Sequence, residues 1–193
     1  VIMLPLYIRF ERKAFLSHEI VLVDVLAAIA AVSRVPFSLL PSVQPTSFVI
    51  IVSAIVFGSE TGFMIGATAA IVSNIFLGQG PWTPWQMFSW GMIGFIAGLL
   101  RNTFLMKKLW GRLLYGLFVG FLFGWIMNLW GLLGFIREAT WEAVVSYYIA
   151  SFYFDLCHAI SNVIFLLLFS TSWITILTRF KKKYGILDKH NMA

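Results

Sequence analysis

Long apolar runs, separated by short polar or turn-forming segments, dominate the 193-residue chain. A helix needs roughly 20 apolar residues to cross the hydrocarbon core of a bilayer, and the runs fit six such helices. The predicted spans are residues 19–40, 46–58, 61–78, 85–100, 112–135 and 147–177. The second span is short for a crossing. The pattern predicts an all-α bundle of six transmembrane helices that forms a single domain over residues 1–193.

Basic residues fall in three clusters, and their positions predict the orientation of the bundle. The clusters are Arg9, Arg12 and Lys13 before the first span; Arg101, Lys107, Lys108 and Arg112 after the fourth; and Arg179 with residues 181–183 after the last. The positive-inside rule makes all three clusters cytoplasmic. An even number of crossings must then separate them, so residues 46–58 count as a crossing. Both termini are predicted inside, and the loops 41–45, 79–84 and 136–146 outside.

Composition agrees with a membrane protein. Hydrophobic residues make up 60% of the chain and charged residues 11%, whereas a soluble domain is about one quarter charged. The mean hydropathy is +0.89. The N-terminal residues lack the short apolar core and small-residue cleavage site of a signal peptide, and a single cysteine, Cys157, excludes a disulfide within the chain. We therefore predict a multi-pass protein of the cytoplasmic membrane.

Residues 78–87 interrupt the apolar pattern between two predicted spans and are rich in turn formers and aromatic side chains. Their two prolines predict a segment that is not a regular helix. Trp82 and Trp85 offer flat apolar faces, while Gln86 and Gln44 offer amide hydrogen bonds. We interpret the segment as an outer lid over a bound ligand. The alternative is that both tryptophans anchor the chain at the membrane interface.

Polar side chains recur in the outer halves of four predicted spans. In the last span Ser151, Asp155, His158 and Asn162 share one helical face. Ionisable groups inside a bilayer are expensive, so function is their default interpretation. The alternative is an Arg34–Asp155 ion pair, with hydrogen-bonded amides that hold the helices together. The predicted substrate-binding residues are Arg34, Gln44, Asn74, Trp82, Trp85, Gln86, Asn128, Asp155, His158 and Asn162.

Small residues also follow helical spacing. Asp24, Ala27, Ala28 and Ala31 lie at i, i+3, i+4 and i+7, on one side of the first helix. Such a stripe suits either docking of a partner helix or packing within the bundle. Glycines recur every four residues at 94 and 98 and at 116, 120 and 124, and we expect both sets to pack within the bundle.

Several chemistries lack their sequence signals. The chain has no GxxxxGK[S/T] phosphate loop and no HExxH motif, and its three histidines are scattered, so neither an ATP site of that type nor a metal site is predicted. The terminal lysines lack a nucleic-acid-binding motif. Cys157 and His158 point about 100° apart on a helix, so they do not form a nucleophile–base pair.

The polar residues within the spans leave two classes of membrane protein as alternatives to a subunit that only binds its ligand. A proton-coupled secondary transporter could use Asp155 and His158, although no internal repeat of the kind found in such carriers is visible. A membrane-embedded enzyme lacks a supporting catalytic constellation.

The chain resembles the S components of energy-coupling factor (ECF) vitamin transporters, from about Ser17 to the last lysines. The resemblance lies in AAIAAVSRVP (27–36), PSVQP (41–45) and GPWTPW (80–85), and is greatest to the cobalamin-specific S components. It implies high-affinity binding of a vitamin, here cobalamin, at the outer face. It also implies that first-helix alanines dock on a transmembrane T component driven by two cytoplasmic ATPases, which use ATP and magnesium. The S component then topples in the membrane to release its substrate, and binds no cofactor itself.

Overall fold

A computed structural model describes residues 3–11, 17–135 and 140–186. Within these ranges the chain forms α-helices joined by short connections, without β-strands. The helices are α1 (Leu4–Glu11), α2 (Ser17–Val32), α3 (Pro45–Phe57), α4 (Ser59–Leu77), α5 (Thr83–Leu99), α6 (Phe104–Lys107), α7 (Leu109–Phe135) and α8 (Trp141–Tyr184). The prediction of an all-α chain is confirmed.

Each predicted span corresponds to one long helix, but two boundaries differ. The first span was predicted to reach residue 40, whereas α2 ends at Val32 and a 3-10 turn follows at Val35–Phe37. Pro36 accounts for the early end, because it has no N–H to bond the Val32 carbonyl oxygen four residues earlier and its ring crowds that carbonyl group. The last span was predicted over 147–177, whereas α8 has 44 residues and is about 66 Å long.

The short helix α3 lies at the centre of the bundle. It packs against α2, α4, α5 and α8, and every one of its residues except Ile55 is buried. Its apolar character therefore reflects contact with other helices. By length and composition, four helical segments in the described chain could cross a membrane: Glu19–Phe37, Ser59–Leu77, Leu109–Gly134 and Trp141–Tyr184.

Glycines allow close approach in two helix pairs. Between α4 and α5, a Cβ atom on Gly94 would overlap the carbonyl group of Gly62, and one on Gly98 would overlap Ser59. Between α7 and α8, a Cβ atom on Gly120 would overlap the backbone of Ala159. Gly116 and Gly124 face the same helix. The predicted packing role of these glycines is confirmed.

The helices run between two ends of the bundle. The loop end comprises the connections 33–44 and 78–82 and the start of α8; the basic end comprises Gly58, residues 100–108 and the end of α8. At the basic end Lys181 Nζ donates a hydrogen bond to the Val56 carbonyl oxygen (3.1 Å), and the Arg101 guanidinium lies over Gly58. Both cations lie at the C-terminus of α3, where exposed carbonyl groups favour positive charge.

Candidate functional site

Arg34 follows α2 at the loop end and reaches into the bundle. Its Nη1 atom donates hydrogen bonds to Ser73 Oγ and to Asn74 Oδ1, each at 3.1 Å. Its guanidinium carbon lies 5.0 Å from the centroid of the Trp90 ring, within the range of a cation–π interaction. Arg34 has no carboxylate partner among the residues that the structure describes. We call the group formed by Arg34, Ser73, Asn74 and Trp90 the Arg34 cluster.

Asn74 connects the Arg34 cluster to the neighbouring connection. Its Nδ2 atom donates to Gln86 Oε1 at 2.7 Å and to Thr83 Oγ1 at 3.0 Å. Thr83 Oγ1 in turn donates to Gln79 Oε1 at 2.9 Å, and Gln79 Nε2 donates to the Ile71 carbonyl oxygen at 2.9 Å. The connection 78–82 and the first turn of α5 are therefore held to α4 through the buried Asn74 amide and through the Gln79–Ile71 hydrogen bond.

One proline of this segment lies where the prediction did not place it, and the two tryptophans differ in exposure. Helix α5 begins at Thr83 with Pro84 in its first turn, where the missing N–H of proline costs nothing. The prediction that Pro84 prevents a regular helix is wrong, and the irregular segment is limited to 78–82. Trp82 is 37% exposed and its ring lies against Gly80, whereas Trp85 is half-buried. The lid and anchor interpretations both remain predictions.

Trp90 joins the Arg34 cluster to His158. Its Nε1 atom donates to Ser47 Oγ at 3.1 Å, and the same hydroxyl lies 2.8 Å from His158 Nε2. The His158 ring packs edge-on against Phe123, with centroids 4.9 Å apart. His158 and Trp90 are both buried. A continuous path of polar contacts thus runs from α4 through α5 and α3 to α8.

Asp155 belongs to a separate group of contacts. Its Oδ2 atom accepts a hydrogen bond from Ser151 Oγ at 3.3 Å, and Ser151 Oγ accepts one from Asn128 Nδ2 at 2.6 Å. The alternative of an Arg34–Asp155 ion pair is not seen in the described chain, where Arg34 bonds to Ser73 and Asn74 and Asp155 bonds to Ser151. In the described chain no hydrogen bond joins Asp155 to His158, so the proposed proton-coupled pair is not in direct contact. Asp155 also lines a cavity of about 600 Å³ between α7 and α8.

Two enclosed amide oxygens lie beside α8, one next to the start of α3 and one next to α7. The Gln44 backbone N–H donates to Ser161 Oγ at 3.2 Å, while the Gln44 Oε1 atom has no partner in the described structure. Asn162 Nδ2 donates to the Gly116 carbonyl oxygen at 3.1 Å, and Asn162 Oδ1 likewise has no donor partner among the described residues. Asn162 is completely buried, whereas Gln44 is half-buried.

The predicted substrate-binding residues are thus only partly brought together. Arg34, Asn74 and Gln86 share one network, His158 joins it through Trp90, and Asn128 with Asp155 forms another. Four further residues join these networks and were not among the predicted binding residues: Ser47, Ser73, Thr83 and Trp90. For Trp90 the sequence offers one indication, because this residue lies inside a predicted span, whereas tryptophans of membrane proteins concentrate at the interfaces.

The alanine stripe is divided by the fold. Ala27 and Ala31 are fully buried within the bundle, whereas Ala28 is exposed with Asp24. Adjacent helical residues point about 100° apart, so a small rotation of the helix separates Ala28 from its neighbours. In this conformation an exposed docking surface cannot include Ala27 or Ala31. The burial of these two residues reduces the predicted docking set to Ala28.

The helices and their apolar segments define a multi-pass membrane protein. Residues 18–180 match the family described as "ECF transporter, substrate-specific component". The chain belongs to this family of membrane transport subunits. It is 27% identical over 90 residues to the UPF0397 protein of Vibrio atlanticus (strain LGP32). That alignment covers 44% of this chain and 49% of the relative, about half its length. No solved structure matches the chain.

Proposed function

We propose that this chain is the high-affinity substrate-binding subunit of an ECF-type vitamin importer and that it binds its substrate at the loop end. The Arg34 cluster supports this proposal most. Asn74 links the cluster to the start of α5, beside the connection 78–82, in a chain that belongs to a family of transport subunits. The proposed topology has six crossings. The positive-inside rule places the basic end in the cytoplasm, so the loop end faces the substrate outside.

Binding is proposed to involve polar groups that converge from several helices. Arg34, Asn74 and Gln86 offer a cation and amides at the connection 78–82, and Trp85 offers an aromatic face beside them. Gln44 and Asn162 contribute amide oxygens that lack partners among the described residues. Residues farther from Arg34 complete the proposed set: Trp82, Asn128, Asp155 and His158. Aromatic walls with a few placed polar groups are typical of small-molecule sites.

Energy for uptake is proposed to come from partner proteins. A transmembrane T component would receive this subunit, and two cytoplasmic ATPases would hydrolyse ATP with magnesium. The sequence supports this division of labour, because it carries no phosphate-binding loop.

The proposed substrate is a vitamin, with cobalamin as the candidate that the sequence resemblance favours. Purified protein should therefore be stabilised against heat by one member of a panel of water-soluble vitamins that includes cobalamin. A ligand at 100 times its dissociation constant adds about 2.7 kcal/mol to the free energy of unfolding, enough to raise Tm by several degrees. Titration calorimetry on the stabilising vitamin gives its Kd. A panel in which no vitamin stabilises or binds the protein would contradict the proposal.

Docking on the T component is proposed to use the exposed side of α2 around Ala28. Val21, Val25 and Val32 are exposed on this helix, and the small side chain of Ala28 would allow close approach of a partner helix. Replacing Ala28 by tryptophan should weaken association with the T component about 5- to 150-fold, the range expected for overpacking a contact.

Vitamin affinity should be unchanged in Ala28→Trp, because Ala28 does not face the Arg34 cluster. The matched control is Ala150→Trp, at an exposed position of α8. Both variants can be assayed by co-purification with a tagged T component and by vitamin titration. If the Ala28→Trp variant associates with the T component as strongly as wild type does, the exposed side of α2 is not the docking surface.

A further inference from the structure

Arg34 carries a positive charge that the described structure does not neutralise. Guanidinium groups remain protonated in proteins, and a charge removed from water is costly unless it is paired. The hydrogen-bond partners of Arg34, Ser73 and Asn74, are neutral, and the face of Trp90 offers only a weak cation–π contact. Asp155 is bonded to Ser151 instead. The loop end therefore holds a cation that lacks a counter-ion among the described residues.

One edge of this guanidinium has no hydrogen-bond partner among the described residues. Both hydrogen bonds of Arg34 to described residues come from Nη1, which leaves Nε and Nη2 without a described partner. The Arg34 side chain is half-buried. The Nε–Nη2 edge presents two parallel N–H groups, the geometry that binds a carboxylate or a phosphate through two hydrogen bonds.

The surroundings of Arg34 fix this edge in place. Nη1 is held by two side chains of α4, and the guanidinium rests against the buried Trp90 ring. Trp90 is itself held by its hydrogen bond to Ser47. A side chain fixed in this way loses little conformational entropy when it binds a ligand, so more of the interaction energy appears as affinity.

We propose that the substrate carries an anionic oxygen group, a carboxylate or a phosphate, and that Arg34 binds it through Nε and Nη2. This inference rests on the proposed vitamin-binding function and narrows it. It makes Arg34 a specificity-determining residue that favours acids over their neutral analogues. Hydrogen bonds to a charged group support about a 10- to 100-fold preference for the acid.

Matched pairs of vitamin and analogue test this preference. The pairs are nicotinate and nicotinamide, pantothenate and pantothenol, biotin and biotinamide, and cobalamin and cobinamide, which lacks the phosphate and its nucleotide. Each is titrated into the purified full chain by calorimetry, with thermal stabilisation as a second readout. In the pair that binds, the anionic member should bind about 10- to 100-fold more tightly.

Variants assign the preference to Arg34. Arg34→Gln should make the two members of the pair bind equally, and Arg34→Lys, which keeps the charge but not the two-pronged geometry, should retain part of the preference. Asn74→Asp places a carboxylate 3.1 Å from Arg34 Nη1, and it should weaken binding of the acid far more than binding of its neutral analogue. The matched control is Arg112→Gln at the basic end, where Arg112 Nη2 donates to Thr171 Oγ1 at 3.3 Å. That variant should keep the full preference.

A lipid phosphate could supply the same chemistry, so the titrations are repeated in nanodiscs of phosphatidylcholine and of phosphatidylglycerol. An equal preference in both supports a soluble anionic substrate, whereas loss of acid binding only in phosphatidylglycerol assigns the edge to lipid and overturns the proposal. A neutral member that binds as tightly as its acid, or a preference that persists in Arg34→Gln, also overturns it. If no member of any pair binds, the proposal of an anionic substrate fails, whereas the proposed function fails only if the full vitamin panel gives no binding.

Discussion

Replacing Asn74 by leucine is expected to lower the free energy of unfolding by about 2 kcal/mol and by at most about 5 kcal/mol, because three hydrogen bonds between segments are lost and each contributes on average about 0.6 kcal/mol, with a maximum of about 1.7, in a membrane protein. Asn74 accepts from Arg34 and donates to Thr83 and Gln86. Leucine has a similar size but leaves all three groups without this partner. Thermal unfolding in detergent and unfolding titrations in mixed micelles measure the loss.

The same substitution should also weaken substrate binding at least tenfold, since Arg34 and the start of α5 lose their common anchor. The matched control is Asn102→Leu, the same chemical change at an exposed position near the basic end. Asn102→Leu should leave both stability and affinity close to those of wild type. An Asn74→Leu protein with unchanged stability and affinity would show that this network does not organise the loop end.

The helical bundle could be predicted from the sequence because membrane-spanning segments carry a strong signal. Apolar runs bounded by charged or turn-forming residues coincide with helices of the described chain, including the short α3. Four helical segments of the described chain are long and apolar enough to cross a membrane. Two of the errors involve prolines. Pro36 ends α2 earlier than hydropathy indicates, whereas Pro84 lies in the first turn of α5 and is compatible with it. Hydropathy does not distinguish these two effects of proline.

The polar residues could be identified from the sequence, but their contacts could not. Arg34 and Asp155 are opposite charges at similar predicted depths, which made an ion pair reasonable. Their partners depend on how each helix is rotated about its axis, and only the packed bundle determines that rotation. The same ambiguity affected the alanine stripe, where one residue step separates buried Ala27 from exposed Ala28.

Trp90 shows a further limit. A tryptophan within an apolar span is normally assigned to packing, and Trp90 is indeed completely buried. Its importance comes from three contacts at once: the Arg34 guanidinium on its face, Ser47 at its Nε1 atom and Phe123 beside it, with ring centroids 4.9 Å apart. Each partner comes from a different part of the chain, so local sequence pattern does not indicate them.

The dependence of uptake on partner proteins should be all or none. This chain is proposed to bind the vitamin, whereas the energy for accumulation is proposed to come from ATPases that act through a T component. Reconstituted alone in liposomes, the protein should bind the vitamin without concentrating it. A proton-coupled transporter would instead accumulate it without ATP.

Vitamin uptake into proteoliposomes tests this account most directly. The protein is reconstituted alone, with the T component and ATPases, and with the same partners plus ATP inside, and each preparation is measured with and without a proton gradient. We expect accumulation above the external concentration only when partners and ATP are both present, whatever the proton gradient. Accumulation by this chain alone, driven by a proton gradient and independent of ATP, would contradict the account.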